Sequence, residues 1–390
     1  MSIDLRGMSV VDAHCHGIRL DDLLAYPPTG WADRITLIGM CMASSATAAA
    51  ESKRQVSALT ESTMFASVGR RWLARWLGVD VSDVDEARMT RLRDDARAYL
   101  GGLLADQKIT DLFVDDGYPQ PPVDAAQFGA LVGATAHRVA RIEPIIDRVC
   151  AQADTLADAV AAFEAELDAC GRDPSCIAYK SIIAYRSGLD VEDPSDAEVA
   201  ASFSTWKAKG LIGGRRETKA LRDRFVHITC RKAATYDKAV HIHSGAGDPD
   251  VLLAHAHAAG LAPLIAAHPD TAIVLIHAGF PWIEEAAYLA GMYPNAHIEL
   301  SLFNPWATLD LDRGLRTILG LVPTSKVMYG SDEASEPEVL WISARLFRRT
   351  LARVLDGAVD DDLLTPAEGV RTGEGILGAN ALRLHGLAAT

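Results

Sequence analysis

The chain has 390 residues, of which 49% are hydrophobic and 23% are charged, a composition typical of a globular protein with a sizeable core. Its formal net charge of −14 argues against nucleic acid as a partner, because a protein that binds phosphate backbones needs a cationic face. No basic segment with a long apolar core stands near the start, and no apolar run approaches the roughly 20 residues of a membrane span, so we expect no membrane partner and a cytoplasmic location.

Short apolar runs rich in β-branched residues recur along the chain, and each ends in polar or ionisable residues. Amphipathic stretches such as 155–170 and 248–260 lie between them and predict helices. Eight strands that alternate with helices predict an α/β fold, a (β/α)8 TIM barrel that forms one domain over 1–390, with its chemistry at the ends of the strands. The predicted strands are 9–14, 109–116, 138–144, 176–183, 239–243, 272–279, 296–302 and 326–332.

The stretch between the first and second predicted strands is far longer than one crossover helix requires. Residues 46–107 are rich in Ala, Arg, Leu and Glu and predict helices near 46–59 and 85–106. We interpret 46–107 as a helical insertion after the first strand, in the first βα loop, where it overhangs the barrel mouth. It serves either as a lid or substrate-binding wall, or as a contact in a homo-oligomer.

Ionisable side chains stand at the ends of several predicted strands. Residues i and i+2 of a strand share a face, so His14 and His16 project together and can reach one divalent ion. A histidine ends the fifth strand and another the sixth, an aspartate ends the eighth, and a lysine lies within the fourth. Imidazole and carboxylate ligands suit a borderline ion, and we expect one or two Zn²⁺. The candidate metal residues are His14, His16, Lys180, His243, His277 and Asp332.

These residues carry a family resemblance. The motifs VDAHCH, HIHSG, IHAG and YGSDE resemble the metal-site motifs of the amidohydrolase superfamily, in its amidohydrolase-related or family-two branch. The stretches YKSIIAYRSGLD, LFVDDGY and HIHSGAGD are more narrowly similar to the amidohydrolase-like domain fused to glutamine-synthetase-type enzymes in fungi and plants. The resemblance covers roughly residues 8–20 and 109–382 and leaves out the helical insertion.

The resemblance implies a role for each candidate metal residue. His14, His16 and Asp332 would ligate a metal, with His243 as a further ligand, and Asp332 would double as the general base that takes a proton from water. His277 would either ligate a second metal or orient water or the substrate carbonyl. The lysine of the fourth strand would either be carbamylated and bridge two metals or bind a substrate carboxylate. We favour metal involvement, and a buried ammonium needs a partner in either case.

Five residues near the strand ends are candidates for substrate contacts. Arg186 follows the fourth strand and can hold a carboxylate through a bidentate pair. Arg141 and Glu143 share a face of the predicted third strand, where they form either a buried ion pair or a substrate clamp. His241 lies deeper on the fifth strand, as a candidate donor behind the site. Tyr118 follows the second strand and can reach the site.

The leading hypothesis is a metal-dependent hydrolase that uses metal-activated water to cleave a C–N bond of amide type in a small carboxylated substrate. The carboxylate is inferred from Arg186 and Lys180, and the fusion partners of the similar domain point to γ-glutamyl-type amides by analogy. The alternative is a metal-dependent non-oxidative decarboxylase of a small aromatic acid, in which Asp332 delivers a proton to carbon. Sugar-acid isomerisation and a non-catalytic metal-binding barrel also stay open.

Overall fold

Parallel strands form the centre of the molecule. A computed structural model describes residues 3–209 and 215–388. Within these residues one eight-stranded parallel sheet runs in the order β1 to β7 and then β9, so each strand pairs with its neighbour in sequence apart from the short β8. The strands are β1 (Val10–His16), β2 (Ile109–Asp115), β3 (Thr135–Arg141), β4 (Cys176–Ser181), β5 (Ala239–His243), β6 (Ile273–Ile276), β7 (Ala296–Glu299), β8 (Ser301–Leu302) and β9 (Val327–Met328).

The sheet closes on itself through the residues that follow β9. The backbone N–H of Ala13 donates to the carbonyl of Tyr329 at 3.0 Å, and the N–H of Asp332 donates to the carbonyl of His14 at 2.9 Å. These bonds join the last strand region to the first and bring the ends of β1 and β9 together at one rim. The predicted (β/α)8 TIM barrel is confirmed.

Helices surround the sheet, as expected when both faces of a parallel sheet are buried. Most of the core lies between the sheet and these helices, and a smaller apolar cluster fills the barrel interior around Phe113, Val274 and Met328. The helices are α1 (Leu20–Ala25), α2 (Trp31–Ile35), α3 (Leu37–Ser44), α4 (Ala50–Thr60), α5 (Met64–Leu77), α6 (Val84–Asp94), α7 (Ala96–Asp106), α8 (Ala125–Val132), α9 (Ile142–Gln152), α10 (Leu156–Arg172), α11 (Asp196–Lys209), α12 (Arg215–Thr235), α13 (Ala262–Ala267), α14 (Ile283–Met292), α15 (Phe303–Trp306), α16 (Leu311–Leu321), α17 (Glu338–Asp360), α18 (Pro366–Glu374) and α19 (Asn380–Leu384).

Helices α1 to α7 occupy the connection between β1 and β2. Helices α4 to α7 fall within the predicted insertion 46–107, whereas α1 to α3 precede it, so the helical part of the connection begins earlier than the sequence pattern indicated. That 46–107 forms a distinct insertion stays a prediction. None of the helices in the described part of the chain is both long enough and apolar enough to cross a membrane.

Two predicted elements differ from the structure. The third strand was expected over 138–144 but runs over Thr135–Arg141, and the chain turns directly into α9 at Ile142. The helix expected over 248–260 is wrong, since short 3₁₀ turns occur there instead. Tertiary backbone bonds replace the helical ones: the carbonyls of His255 and Ala256 accept from the N–H groups of Leu189 at 2.8 Å and Gly245 at 2.7 Å.

Candidate metal centre

Two histidines at the end of β1 lie next to the carboxylate of an aspartate that follows β9, the last strand of the barrel. The strand is buried along its whole length, and its closing residues His14 and His16 both present Nε2 to Oδ1 of Asp332, at 3.3 Å and 3.7 Å. One ligand atom from each of the three side chains lies within 4.8 Å of the others. The structure therefore brings these predicted ligands to one point, where they could share one ion.

The backbone conformation of Asp332 is unusual for a residue other than glycine. Its φ is 58°, in the left-handed region, and its N–H is held by the carbonyl of His14. Aspartate tolerates this region better than most residues, but the surroundings must still favour it over ordinary backbone. Such conformations recur at functional sites, and the contacts of the Asp332 carboxylate with His14 and His16 place this one in the cluster.

Two further histidines lie against the first pair. The ring of His277 is centred 5.3 Å from that of His14 and 4.4 Å from that of His243, and its Nδ1 is 4.0 Å from Oδ2 of Asp332. Nε2 of His243 is buried and has no hydrogen-bond partner among residues 3–209 and 215–388, which leaves it available to a metal. All four predicted histidines thus belong to one cluster with the aspartate.

A hydrogen-bond chain from β7 and β8 fixes the ring of His277. The Ser301 hydroxyl donates to Oε2 of Glu299 at 2.6 Å, so its oxygen accepts the Nδ1–H of His277 at 2.9 Å. This arrangement leaves Nε2 of His277 with its lone pair. The sequence interpretation overlooked Glu299 and Ser301, although their place at the end of the seventh predicted strand, in ELSL, was a usable signal.

The protonation of these rings fits metal binding. Burial lowers the pKa of His14, His243 and His277 well below the ordinary value, so these imidazoles are neutral at pH 7. Neutral imidazole is the form that ligates a cation. Three neutral rings, a fourth at the same point and one carboxylate form a donor set that fits a divalent metal such as zinc.

Lys180 points into the same cluster from β4. Its side chain is buried, its Nζ lies 3.2 Å from Nε2 of His14, and burial lowers its pKa to about 8. The neighbouring carboxylate of Asp115 is taken up by Arg141, which donates to it from Nε at 3.0 Å and from Nη2 at 2.5 Å. Burial acts to raise the pKa of Asp115, but the Arg141 guanidinium holds it well below its usual range.

A cavity of about 530 Å³ opens over the cluster. Its wall includes Tyr26, Arg34 and Ser44 from the connection between β1 and β2, and every lining residue from that connection lies within 26–44. Residues 46–107, predicted either as a lid or wall or as an oligomer contact, do not line it. The segment after α3 also contacts the loop that follows β5. There Asp250 accepts from the Ser45 hydroxyl at 2.7 Å and from the Ala46 N–H at 2.8 Å.

Three predicted substrate contacts line this cavity. They are Tyr118, Arg141 and Arg186. The ring of Tyr118 stands edge-on to that of His16, with centroids 5.7 Å apart. Three arginines line the cavity. Because Arg34 is paired with Glu336 and Arg141 with Asp115, Arg186 is the one whose guanidinium makes no hydrogen bond or ion pair to any residue that the structure describes.

Glu143 and His241 do not line the cavity. The prediction that Arg141 and Glu143 share a strand face is wrong, because β3 ends at Arg141 and Glu143 lies in the first turn of α9. There its Oε1 accepts from the Ser181 hydroxyl and the Ile182 N–H, each at 2.8 Å, and so holds the end of β4.

His241 is buried deeper in the barrel than the cavity. Its Nε2 lies 2.9 Å from Nε2 of His385, which inserts into the interior from the C-terminal end of the described chain. The Nδ1–H of His385 donates to the carbonyl of Ala381 at 2.8 Å, so Nε2 of His241 is the donor to His385. His241 therefore lies in the barrel interior, beneath the residues that line the cavity.

An α/β barrel with imidazoles and a carboxylate gathered at the C-terminal ends of its strands has the architecture of barrel enzymes, and its donor set fits a divalent metal. In sequence, the amidohydrolase family matches residues 184–387, slightly more than half of the chain. The chain belongs to the amidohydrolase family, as the motifs predicted, and is an enzyme of the hydrolase type.

One known protein is similar to part of this chain in sequence. Protein fluG of Emericella nidulans is 32% identical over 225 residues, which are 55% of this chain and 26% of that protein, so the chain spans about a quarter of its length.

Solved structures share the barrel. A protein of Lactobacillus casei, provisionally described as a metal-dependent hydrolase, has a TM-score of 0.83 at 23% identity and covers 99% of this chain and 98% of its own. A uronate isomerase of Thermotoga maritima has a TM-score of 0.68 at 15% identity, with 97% and 95% covered. At these identities the likenesses show the fold.

Proposed function

We propose that this chain is a metal-dependent hydrolase that cleaves the C–N bond of an amide in a small carboxylated molecule. The observation that carries the proposal is the convergence of His14, His16 and Asp332 beside a cavity. His14, His16, His243 and Asp332 would hold the metal, which we take to be Zn²⁺. When bound, such an ion polarises a carbonyl and lowers the pKa of water from 15.7 to about 7.

The two carboxylate oxygens of Asp332 would have different roles, one at the metal and one in proton transfer. Oδ1 faces the two histidines of β1, whereas Oδ2 faces the side of His277. We assign Oδ2 as the atom that takes a proton from the attacking water. The water oxygen bonds to the amide carbon, the C–N bond breaks, and the proton passes from Oδ2 to the leaving nitrogen. The products are a carboxylic acid and an amine.

His277 and Lys180 complete the proposed site. With Nδ1 committed to Ser301, His277 presents the lone pair of Nε2, which can ligate or can accept a hydrogen bond that orients water. Lys180, whose Nζ lies next to Nε2 of His14, would take a direct role at the metal or, once carbamylated, a bridging one. Metal analysis that returns one ion per chain, together with an unmodified lysine in the intact-protein mass, would contradict a bridging role.

The test of the reaction is product analysis in ¹⁸O-labelled water. Purified protein loaded with Zn²⁺ is incubated with a panel of carboxylated amides that includes γ-glutamyl amides, and amine release is measured. Hydrolysis predicts one ¹⁸O atom in the new carboxylate for each amine released. Carbon dioxide release without ¹⁸O incorporation would favour the decarboxylase, and an isomerised product would favour sugar-acid chemistry; either would contradict the proposal.

Replacing Arg186 by Gln is expected to lower kcat/KM for a carboxylated amide by about 10- to 100-fold, the worth of a charged hydrogen bond. The reason is that Arg186 lines the cavity and its guanidinium makes no hydrogen bond or ion pair to residues 3–209 or 215–388. Steady-state kinetics on a matched pair of amides, one with a carboxylate and one with an uncharged isostere, provides the control. The wild-type preference for the carboxylate should disappear in the variant. An equal loss on both amides would show that Arg186 has another role.

A further inference from the structure

The side chain of Glu333, the first residue after Asp332, stabilises the turn that it begins. Oε1 of Glu333 accepts the backbone N–H groups of Ser335 and Glu336, and the carbonyl of Glu333 accepts from the N–H of His16 at 2.6 Å. The turn 333–338 is therefore tied to β1 at its start. Its other end leads into α17, which begins at Glu338.

A buried ionic network holds the far end of this turn, and we call it the brace. Arg88 of α6 is 1% exposed and donates from Nε to Oε1 of Glu338 at 2.7 Å and from Nη2 to Oε2 of Glu336. The Tyr99 hydroxyl of α7 also donates to Oε1 of Glu338, at 2.7 Å. Nε of Arg34, in α2, donates to Oε1 of Glu336. The brace consists of Arg34, Arg88, Tyr99, Glu336 and Glu338.

The brace is balanced in charge and has one central member. Two guanidinium groups face two fully buried carboxylates, and Arg88 is the residue that contacts both carboxylates. Removing one partner from such a buried pair leaves an uncompensated charge, which is strongly unfavourable. Arg88 therefore joins the two carboxylates at the far end of the turn, from a helix that does not line the cavity.

The position of the Asp332 carboxylate depends on what holds the chain on either side. Its N–H is bonded to His14, and its backbone is in the left-handed region, which persists only where the surroundings enforce it. The chain after it is held first at Glu333, whose carbonyl accepts from His16, then at Ser335, whose hydroxyl donates to the carbonyl of Arg34 at 2.7 Å. The brace holds it four and six residues after Asp332, at Glu336 and Glu338. A shift of this turn would move the carboxylate away from the histidines of β1.

We propose that Arg88 is a positioning residue: through Glu336 and Glu338 it fixes the turn 333–338 and thereby the carboxylate of Asp332 at the metal cluster. This inference rests on the proposed roles of Asp332 as ligand and base. On this proposal the helices between β1 and β2 have a function other than that of a lid. Residues of α6 and α7 bind the turn 333–338 on the side away from the cavity.

The test compares three variants with the wild-type chain. Arg88→Met keeps the length of the side chain without its charge. The double variant R88M/E338Q removes one charge of each sign, so it should fold even where the single variant does not, because Glu336 keeps Arg34 and residue 338 keeps a hydrogen-bond partner in Tyr99. R88K restores the charge with a single point of contact. Asp223→Asn is the control. This carboxylate lies in α12, the helix before β5, and is as buried as Arg88; it accepts from Nζ of Lys219 and from the Glu192 N–H at 3.0 Å.

Three readouts separate positioning from general destabilisation. Hydrogen exchange over residues 329–338, followed by mass spectrometry, should be faster in R88M/E338Q and unchanged in D223N. Zinc affinity, by competition with a chromophoric chelator, and kcat should each fall by about 10- to 100-fold in R88M/E338Q, the usual cost of losing a residue behind a metal ligand. KM should stay near the wild-type value, and R88K should recover part of the loss.

Unchanged exchange in the turn would overturn the inference, and so would a loosened turn that keeps wild-type zinc affinity and kcat. An equal loss of zinc affinity in D223N would also overturn it, because the effect would then be one of overall stability. If the wild-type chain itself binds no zinc and releases no amine, the proposed function fails, and the exchange comparison still decides whether Arg88 holds the turn.

Discussion

Replacing Asp332 by Asn is expected to lower kcat by about 10²- to 10⁴-fold, the range that a positioned general base contributes. Asparagine has the same shape, and its amide oxygen can face His14 and His16 as the carboxylate does at 3.3 Å and 3.7 Å. An amide, however, cannot take the proton from water. KM should change little, because Arg186 is proposed to hold the substrate. Steady-state kinetics on the best amide of the panel measures both constants.

Metal content decides how a loss in this variant is interpreted. We expect Asp332→Asn to retain zinc, by atomic emission, because three histidines remain at the site. Asp223→Asn, which changes a buried carboxylate in α12, should keep wild-type kcat and shows the effect of such a change away from the site. A variant at residue 332 with full zinc content and full kcat would rule out Asp332 as the base.

Removal of the metal is expected to abolish amide hydrolysis and to destabilise the fold. The proposed ligands come from β1, from β5 and from the residues after β9, so an unfolded chain cannot hold the ion in the same way. Zinc at 100 times its Kd should then raise the free energy of unfolding by about 2.7 kcal/mol. Urea unfolding of chelator-treated protein, with and without added Zn²⁺, measures this difference, and activity should return with the ion.

The double variant H14N/H16N is the matched control for this experiment. It removes two proposed ligands from the end of β1 and leaves the rest of the cluster in place. Its free energy of unfolding should no longer respond to zinc, and it should have no activity. If zinc stabilises this variant as much as the wild-type chain, the ion binds elsewhere and the proposed ligand set is wrong.

The barrel and the convergence of the candidate metal residues at its rim could be predicted, because both follow from strand geometry. Parallel strands end at one rim, so ionisable residues at the ends of the first, fifth, sixth and eighth strands must lie near one another. The structure gathers His14, His16, His243, His277 and Asp332 in this way. Their roles stay proposals that the experiments above test.

Two kinds of feature could not be predicted from the sequence: the residues at which strands and helices end, and contacts between residues far apart in the chain. The sequence places Glu143 on a strand face because the predicted strand continues past Arg141. In the structure α9 begins at Ile142, and the Glu143 carboxylate accepts a hydrogen bond from Ser181. A lid or substrate-binding wall was one of two hypotheses for 46–107, whereas the lining residues that come from the connection between β1 and β2 lie within 26–44. Arg88 shows no periodicity that sets it apart, and its partner Glu338 lies 250 residues away in sequence.

The most direct test of the proposed metal site is a crystal structure of the zinc-loaded protein with diffraction data collected on both sides of the zinc absorption edge. The proposed ligands predict an anomalous peak within ligand distance, roughly 2.0–2.2 Å, of His14, His16 and Asp332 at the rim of the barrel. An active, zinc-containing protein with no peak at these three residues, or with its peak elsewhere, would contradict the proposed site.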